Sequence, residues 1–153
     1  MAKYILDTGI ILGYLRGSKY ADYVEQHFAV SSPPNIGLIS IVTVGEIYSL
    51  ALQLGWGDEK RQKLSDLLRI IPNVDISNDL IIQKYAEIDS FTQSKNPLKK
   101  LPTGMSARHM GKNDVWIAAT GSVINAILLT TDKDFDHLNG EYLSVECIDP
   151  GLK

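Results

Sequence analysis

Four acidic residues of the sequence stand where strands are predicted to end or helices to begin: Asp7, Glu46, Asp114 and Asp132. Carboxylates gathered at one edge of a sheet repel one another, and some of them then bind protons. A divalent cation removes this repulsion, and all-oxygen ligation suits Mg²⁺ or Mn²⁺, whereas zinc would require clustered histidine or cysteine. A metal held in this way can activate water to attack a phosphodiester. The four acids therefore predict metal-dependent phosphodiester hydrolysis.

Each acid taken alone also has a purely structural interpretation. Asp114 could cap a helix, and Asp132 or Asp134 could form a turn. Glu46 follows Thr43 by three residues, which is the spacing of a helix capping box. The hydrolase interpretation therefore depends on whether the fold brings these carboxylates together.

The segment 113–135 contains two of the four acids and predicts a helix followed by a strand. Asp114 opens the helix, in which small apolar residues recur at helical spacing and would let it lie close to a sheet. The run 126–129 is typical of a strand buried on both faces, as in parallel sheets covered by helices. Thr130, Thr131, Asp132 and Asp134 follow it, at the strand end where open α/β sheets build their sites.

The rest of the chain repeats this alternation of strand and helix. Strands are predicted at 3–6, 37–41, 73–76 and 142–145, with helical patterns between them. Asp7 ends the first strand, and Glu46 falls in the first turn of the helix that follows the second. We therefore expect an α/β fold in which a mainly parallel sheet lies between helices and carries all four acids at one edge.

The tripeptide Asp7-Thr8-Gly9 is also the signature of aspartic proteases. Those enzymes place it in an all-β fold and need a second copy or a dimer partner. Here a helical pattern follows directly, and the sequence contains no second copy. The sequence therefore argues against a protease.

Composition indicates one ordinary globular domain spanning residues 1–153, with 44% hydrophobic and 22% charged residues. No apolar run approaches the roughly 20 residues of a membrane span, and the first residues lack a signal-peptide pattern. The one cysteine, Cys147, cannot form an internal disulfide, so we expect it to be a small core residue. These features predict a cytoplasmic protein.

The segment 92–112 has no clear period and is basic in a chain of net charge −3. It contains no acid and leads directly into Asn113 and Asp114. A cationic segment beside an anionic metal pocket suits a polyphosphate substrate, because the cations hold the backbone. We therefore expect the following residues to bind RNA: Lys95, Lys99, Lys100, Arg108 and Lys112.

Together these residues resemble the PIN domain family, in particular the VapC-type toxins of prokaryotic toxin–antitoxin pairs. Four motifs, in order along essentially the whole chain, carry the resemblance: Leu6-Asp7-Thr8, Val44-Gly45-Glu46-Ile47, Asn113-Asp114-Val115-Trp116-Ile117-Ala118-Ala119-Thr120 and Leu129-Thr130-Thr131-Asp132-Lys133-Asp134-Phe135. The family implies a three-layer α/β/α sandwich and Mg²⁺- or Mn²⁺-dependent ribonuclease activity. It also implies homodimers and an antitoxin partner.

By position, the resemblance assigns catalysis and metal binding to Asp7, Glu46, Asp114 and Asp132. Many relatives carry Asn at the fourth position, where Asp134 could assist or replace Asp132. The family's supporting polar positions fall on Thr8, Asn113 and Thr131. The basic segment is longer than the link usual in small VapC-type chains, so its RNA-binding role is inferred from its charge alone.

Three other functions fit the pattern less well or lack a decisive feature. A phosphoacceptor signalling domain would have paired acids after its first strand, and a haloacid-type phosphatase would have Asp-x-Asp in place of Asp7-Thr8-Gly9. The stronger alternative is a PIN-like module that binds RNA or protein without cutting. Four intact acids argue against it, because unused carboxylates at one edge would be destabilising.

Overall fold

The computed structural model describes residues 1–152, and within them five strands form one parallel sheet in the order β3-β2-β1-β4-β5. The strands are β1 (Lys3–Leu6), β2 (Ile36–Ser40), β3 (Asn73–Val74), β4 (Ile127–Thr130) and β5 (Val145–Cys147). The central strand β1 pairs with β2 on one side and with β4 on the other. The carboxyl ends of β1 and β4 therefore lie side by side, with Leu6 opposite Leu129.

Six α-helices connect the strands in the described part of the chain: α1 (Thr8–Arg16), α2 (Lys19–Phe28), α3 (Ile41–Gln53), α4 (Asp58–Ile70), α5 (Asp79–Thr92) and α6 (Lys112–Ile124). A 3₁₀ turn, Lys133–Leu138, follows β4. Gly17 ends α1 in the left-handed conformation with φ 62°, as its position after the helical pattern predicts. None of the helices in residues 1–152 has the length and apolar character needed to cross a membrane.

Two hydrophobic cores lie on opposite faces of the sheet. Leu6 and Leu129 pack with residues of α1 to α4 on one face, whereas Ile5 and Leu128 pack with residues of α5, α6 and the 3₁₀ turn on the other. Alternate residues of one strand thus enter different cores, as the two-residue period of a strand requires. The predicted three-layer α/β/α sandwich with a parallel sheet is confirmed.

The helix α6 lies close to the sheet because its inner surface is small. A Cβ atom at Gly121 would stand 3.0 Å from both Ile5 Cγ2 and Leu143 Cδ1. The residues around it, from Val115 to Gly121, are buried almost without interruption. The predicted close approach is confirmed, although the buried surface is much wider than a narrow stripe.

The predicted cap of α3 was wrong. Ser40 caps this helix by accepting a hydrogen bond from Val42 N at 3.2 Å, so the helix begins at Ile41. Thr43 is buried inside the helix, and its hydroxyl has no hydrogen-bond partner among the described residues. The capping box is therefore absent, and Glu46 lies in the second turn instead of the first.

The start of α6, the position of the last strand and the burial of Cys147 also differ from prediction. α6 begins two residues before Asp114, after Gly111, and no side chain caps it. The last strand comes later than predicted, at Val145–Cys147, because residues before it turn back from the 3₁₀ segment. Cys147 is consequently exposed at the edge of the sheet, and its assignment to the core was wrong.

Two helical glycines should respond oppositely to alanine substitution. A Cβ atom at Gly13 would stand 2.3 Å from Cε2 of the buried Tyr20, whose hydroxyl donates to Gly9 O, whereas a Cβ at Gly45 would meet nothing within 4 Å. We expect Gly13→Ala to lower the free energy of unfolding by about 1–3 kcal/mol through overpacking. Gly45→Ala should raise it by up to about 1 kcal/mol through helix propensity. Urea unfolding measures both, and an unchanged Gly13→Ala protein would contradict this packing.

Candidate functional site

Asp7 lies at the junction of β1 and α1, where its backbone and side chain are both held. Asp7 N donates to Leu129 O at 3.0 Å, and the carboxylate accepts from Thr8 N at 2.8 Å and from the Thr130 hydroxyl at 2.7 Å. Only 7% of the residue is exposed. Burial raises the pKa of Asp7, the two hydrogen bonds oppose that increase, and the charge of Asp132 adds to it.

Glu46 extends from the second turn of α3 towards Asp7. Burial and then the charge of Asp7 raise its pKa, while the nearby Thr8 and Asn113 side chains limit the increase. Those two neighbours do not fully satisfy it, because Glu46 Oε1 and Thr8 Oγ1 are buried without hydrogen-bond partners among residues 1–152. A buried carboxylate oxygen without a donor is costly, and a water or a cation bound there would satisfy it.

Asp114 is the most strongly perturbed of the acids. Burial, followed by the charges of Asp7, Asp132, Glu46 and Asp134, raises its pKa to about 7. The start of a helix normally favours a negative charge. Here burial and, after it, the charges of the neighbouring acids outweigh that effect, and all four of those acids lie near enough to Asp114 to raise its pKa.

Asp132 and Asp134 form the turn after β4. Asp132 N donates to the Thr130 hydroxyl at 3.0 Å, and Asp132 Oδ1 accepts from Asp134 N at 2.9 Å, which caps the 3₁₀ turn. Asp132 acts on the pKa of both Asp7 and Asp114, whereas Asp134 is exposed and contributes least to the shift of Asp114. Asp132 thus interacts more strongly with the other acids than Asp134 does.

Two threonines at the end of β4 set the spacing of this edge. Thr130 is fully buried, and its hydroxyl joins Asp7 to the backbone of Asp132. Thr131 packs so closely on α1 that a Cβ atom at Gly9 would stand 2.3 Å from its Oγ1. Thr130 was expected at this strand end, but no role was predicted for it; its polar side chain after an otherwise apolar strand was the available signal.

The negative charge of this site has no cationic partner among the described residues. Within residues 1–152, the ion pairs are Lys84 with Glu87 and Lys99 with Glu141, and neither involves a site acid. In the same range, no three His, Cys, Asp or Glu side chains are close enough to enclose a metal ion. The site could still suit Mg²⁺, which binds through one or two carboxylates and otherwise keeps its waters.

Within the basic segment 92–112, residues 93–111 form no helix or strand. The first half, around Lys99, and the second half, around Arg108, lie in different surroundings. The ammonium group of Lys99 is 3.2 Å from the Glu141 carboxylate and lies over the Tyr142 ring, so Lys99 is engaged within the fold. Lys95 and Lys100 are exposed on the same half. Arg108 is also exposed and lies near the buried His137. Burial and then the charge of Arg108 lower the pKa of His137 to about 4. Lys112 begins α6.

His137 is a buried polar residue that the sequence analysis did not predict. Its Nε2 lies 2.7 Å from the Thr92 hydroxyl, and its ring stacks parallel to that of Phe91. It thereby joins the 3₁₀ turn after Asp132 to the end of α5, where the basic segment begins. The acidic turn and the basic segment are thus connected through the core.

The PIN domain family model matches residues 4–141, and this range includes all four acids. The chain belongs to the PIN domain family. No curated protein matches it in sequence.

Solved structures extend the similarity over nearly the whole chain. VapBC2 from Rickettsia felis, bound to a DNA fragment from its promoter, matches with a TM-score of 0.76 at 20% identity, covering 96% of this chain and 99% of that one. VapBC-1 from nontypeable Haemophilus influenzae gives 0.68 at 24% identity, covering 95% and 97%. VapBC-5 from Mycobacterium tuberculosis gives 0.62 at 20%, covering 97% and 98%. At these identities the similarity establishes the PIN fold.

The raised pKa of Asp114 predicts the pH dependence of stability in metal-free buffer. Between the ordinary carboxyl pKa of about 4 and about 7, the folded chain binds more protons than the unfolded chain, so the free energy of unfolding should fall as pH rises. Asp114→Asn should make this decline shallower and be more stable than the parent at pH above about 7.

Urea unfolding across this pH range tests the expectation. Glu59→Gln, which removes one exposed charge at the start of α4, is the charge-matched control and should retain the parent slope. Equal slopes for Asp114→Asn and the parent would show that the pKa of Asp114 is not raised in the folded chain.

Proposed function

We propose that this PIN domain is a metal-dependent ribonuclease that hydrolyses RNA phosphodiester bonds. The observation that supports this most is the group of acids near the ends of β1 and β4 whose charges raise the pKa of Asp114. Glu46 Oε1 is buried without a hydrogen-bond partner, and no ion pair within residues 1–152 balances the charge of the group. Such an arrangement is unfavourable in the absence of a cation. Acids with perturbed pKa values cluster at functional sites, and catalysis would account for this group of acids.

In this proposal Asp7, Asp114 and Asp132 would hold Mg²⁺ or Mn²⁺, one or two of them directly and the others through waters of the ion, and Glu46 would hold the metal or orient the attacking water. When bound, the metal would activate water and stabilise the charge that develops on the phosphodiester. Thr130 and the backbone of Thr8 fix the Asp7 carboxylate by hydrogen bonds.

The supporting polar residues have separate positions around the same acids. Thr8 and Asn113 face Glu46, Thr131 packs on Gly9, and Asp134 follows the Asp132 cap. Each would keep an acid in place or shape the approach of RNA. Their roles follow from these contacts and from the family resemblance.

We further propose that the protein is the toxin of a cytoplasmic toxin–antitoxin pair and acts as a homodimer with an antitoxin protein as its partner. The support is the match of this chain to VapBC structures over nearly its full length. A PIN module that binds RNA or protein without cutting is the alternative. The coupled acids favour the nuclease, because binding alone would not require them.

Asp7→Asn should abolish cleavage of a single-stranded RNA by the purified protein with Mn²⁺. The substitution removes one charge of the proposed metal site and keeps the shape of the side chain, so the fold should stay intact or become more stable. A gel assay of RNA cleavage and urea unfolding of the same preparation measure both effects.

The matched control is Glu59→Gln, which changes net charge equally at a distant exposed position and should cut at the parent rate. A chelator should stop the parent enzyme, and added Mn²⁺ should restore it. Parent-level cleavage by folded Asp7→Asn, or by the parent with chelator, would refute the proposed metal role.

Asp132→Asn and Asp134→Asn distinguish the two candidates for the fourth acid. Because Asp132 couples to both Asp7 and Asp114 whereas Asp134 is exposed, we expect Asp132→Asn to raise the Mn²⁺ concentration needed for half-maximal cleavage about 10–100-fold. Asp134→Asn should change it less than about threefold. The reverse order in a Mn²⁺ titration would assign the metal to Asp134.

A further inference from the structure

The first half of the basic segment encloses a cavity that the proposed catalytic site does not use. Its volume is about 460 Å³, which is within the range of small-ligand pockets. The residues that line it include the following: Ser94, Lys95, Pro97, Lys100, Leu101 and Met105. The lining thus combines apolar side chains with two ammonium groups.

The turn that forms this cavity is anchored to the rest of the fold. Asn96 accepts hydrogen bonds from the backbone of Leu98 and Lys99 at 2.9 and 3.2 Å, and its amide donates to Glu87 O at 3.3 Å on α5. Lys99 holds the other side through Glu141 and the Tyr142 ring. A turn fixed in this way can present a binding surface with little ordering cost.

The two lysines of the cavity remain available for an anion. Lys95 and Lys100 are exposed, and within residues 1–152 neither enters an ion pair. They stand beside apolar groups of Pro97, Leu101 and Met105. One part of a ligand would therefore be anionic and another flat or apolar, which describes a nucleotide with its phosphate and base.

We propose that this cavity binds one unpaired nucleotide of the RNA substrate. This inference rests on the ribonuclease function proposed above. Lys95 and Lys100 contact phosphates on either side of the nucleotide, and the base lies against Met105 and Leu101. A base inside a duplex could not enter, so the site selects single-stranded RNA. Arg108 and Lys112 lie later in the same segment and are both exposed, and Lys112 begins α6 two residues before Asp114.

The lysine contribution is tested by the salt dependence of RNA binding. A fluorescent single-stranded oligoribonucleotide is bound in chelator, where no cleavage occurs, and its anisotropy is followed over a range of salt concentrations. Two lost phosphate contacts should reduce the slope of log affinity against log salt by about 1.4 in the double variant Lys95→Ala/Lys100→Ala. Lys19→Ala/Lys63→Ala, which removes two exposed lysines elsewhere, is the control and should retain the slope.

The base contact is tested with the same oligonucleotide carrying an abasic nucleotide at each position in turn. With the parent protein, one position should lose about fivefold or more in affinity, comparable to the smaller base-stacking effects. Met105→Ala should bind the intact RNA more weakly and lose this sensitivity. Leu98→Ala, at a 95% exposed residue of the same turn that does not line the cavity, should behave as the parent.

An unchanged salt slope in Lys95→Ala/Lys100→Ala would overturn this inference, and so would the absence of any abasic position that depends on Met105. Binding of free nucleoside monophosphates as tight as that of the oligonucleotide would also overturn it, because the site would then serve a free nucleotide. Failure of the nuclease proposal is separate: the protein would bind RNA as described and leave it uncut with Mn²⁺.

Discussion

The hydrogen bond from the Thr130 hydroxyl to the Asp7 carboxylate is the interaction on which the proposed site depends. It joins residues 123 positions apart in sequence, and it exists because β1 and β4 are parallel neighbours that end together. The same hydroxyl accepts from the backbone of Asp132 and so sets the position of the next acid. A one-residue change in strand register would turn Thr130 to the other face and break its contact with Asp7.

The edge built in this way is electrostatically unfavourable by itself. Burial raises the pKa of Asp7, Glu46 and Asp114. The charge of at least one other acid raises each of these pKa values further. The stability that holds them together comes from the two apolar cores, which fix both faces of the sheet and carry no share of the charge. The packing of the two cores therefore supplies the free energy that keeps the acids close together, whereas the repulsion between the acids lowers the stability of the fold.

The sequence was sufficient to predict the layered fold and the strand ends at which Asp7 and Asp132 stand, because strand ends are marked by local patterns; it placed Glu46 one helical turn too early and α6 two residues too late. It was insufficient where a choice between neighbours depended on packing. Ser40 and Thr43 are both plausible caps, and the end of β2 at Ser40 decided between them. Thr130 and Lys99 owe their roles to residues distant in the chain, Asp7 and Glu141, which no local pattern reveals.

The two outermost strands of the sheet are very short: β3 has two residues and β5 has three. Long exposed edge strands are templates for aggregation and for the addition of a strand from another chain, and short ones blunt that tendency. An all-parallel sheet with such ends offers little backbone for intermolecular pairing. Contacts with other macromolecules are therefore left to the helices and loops, and the molecule gains protection against fibril formation.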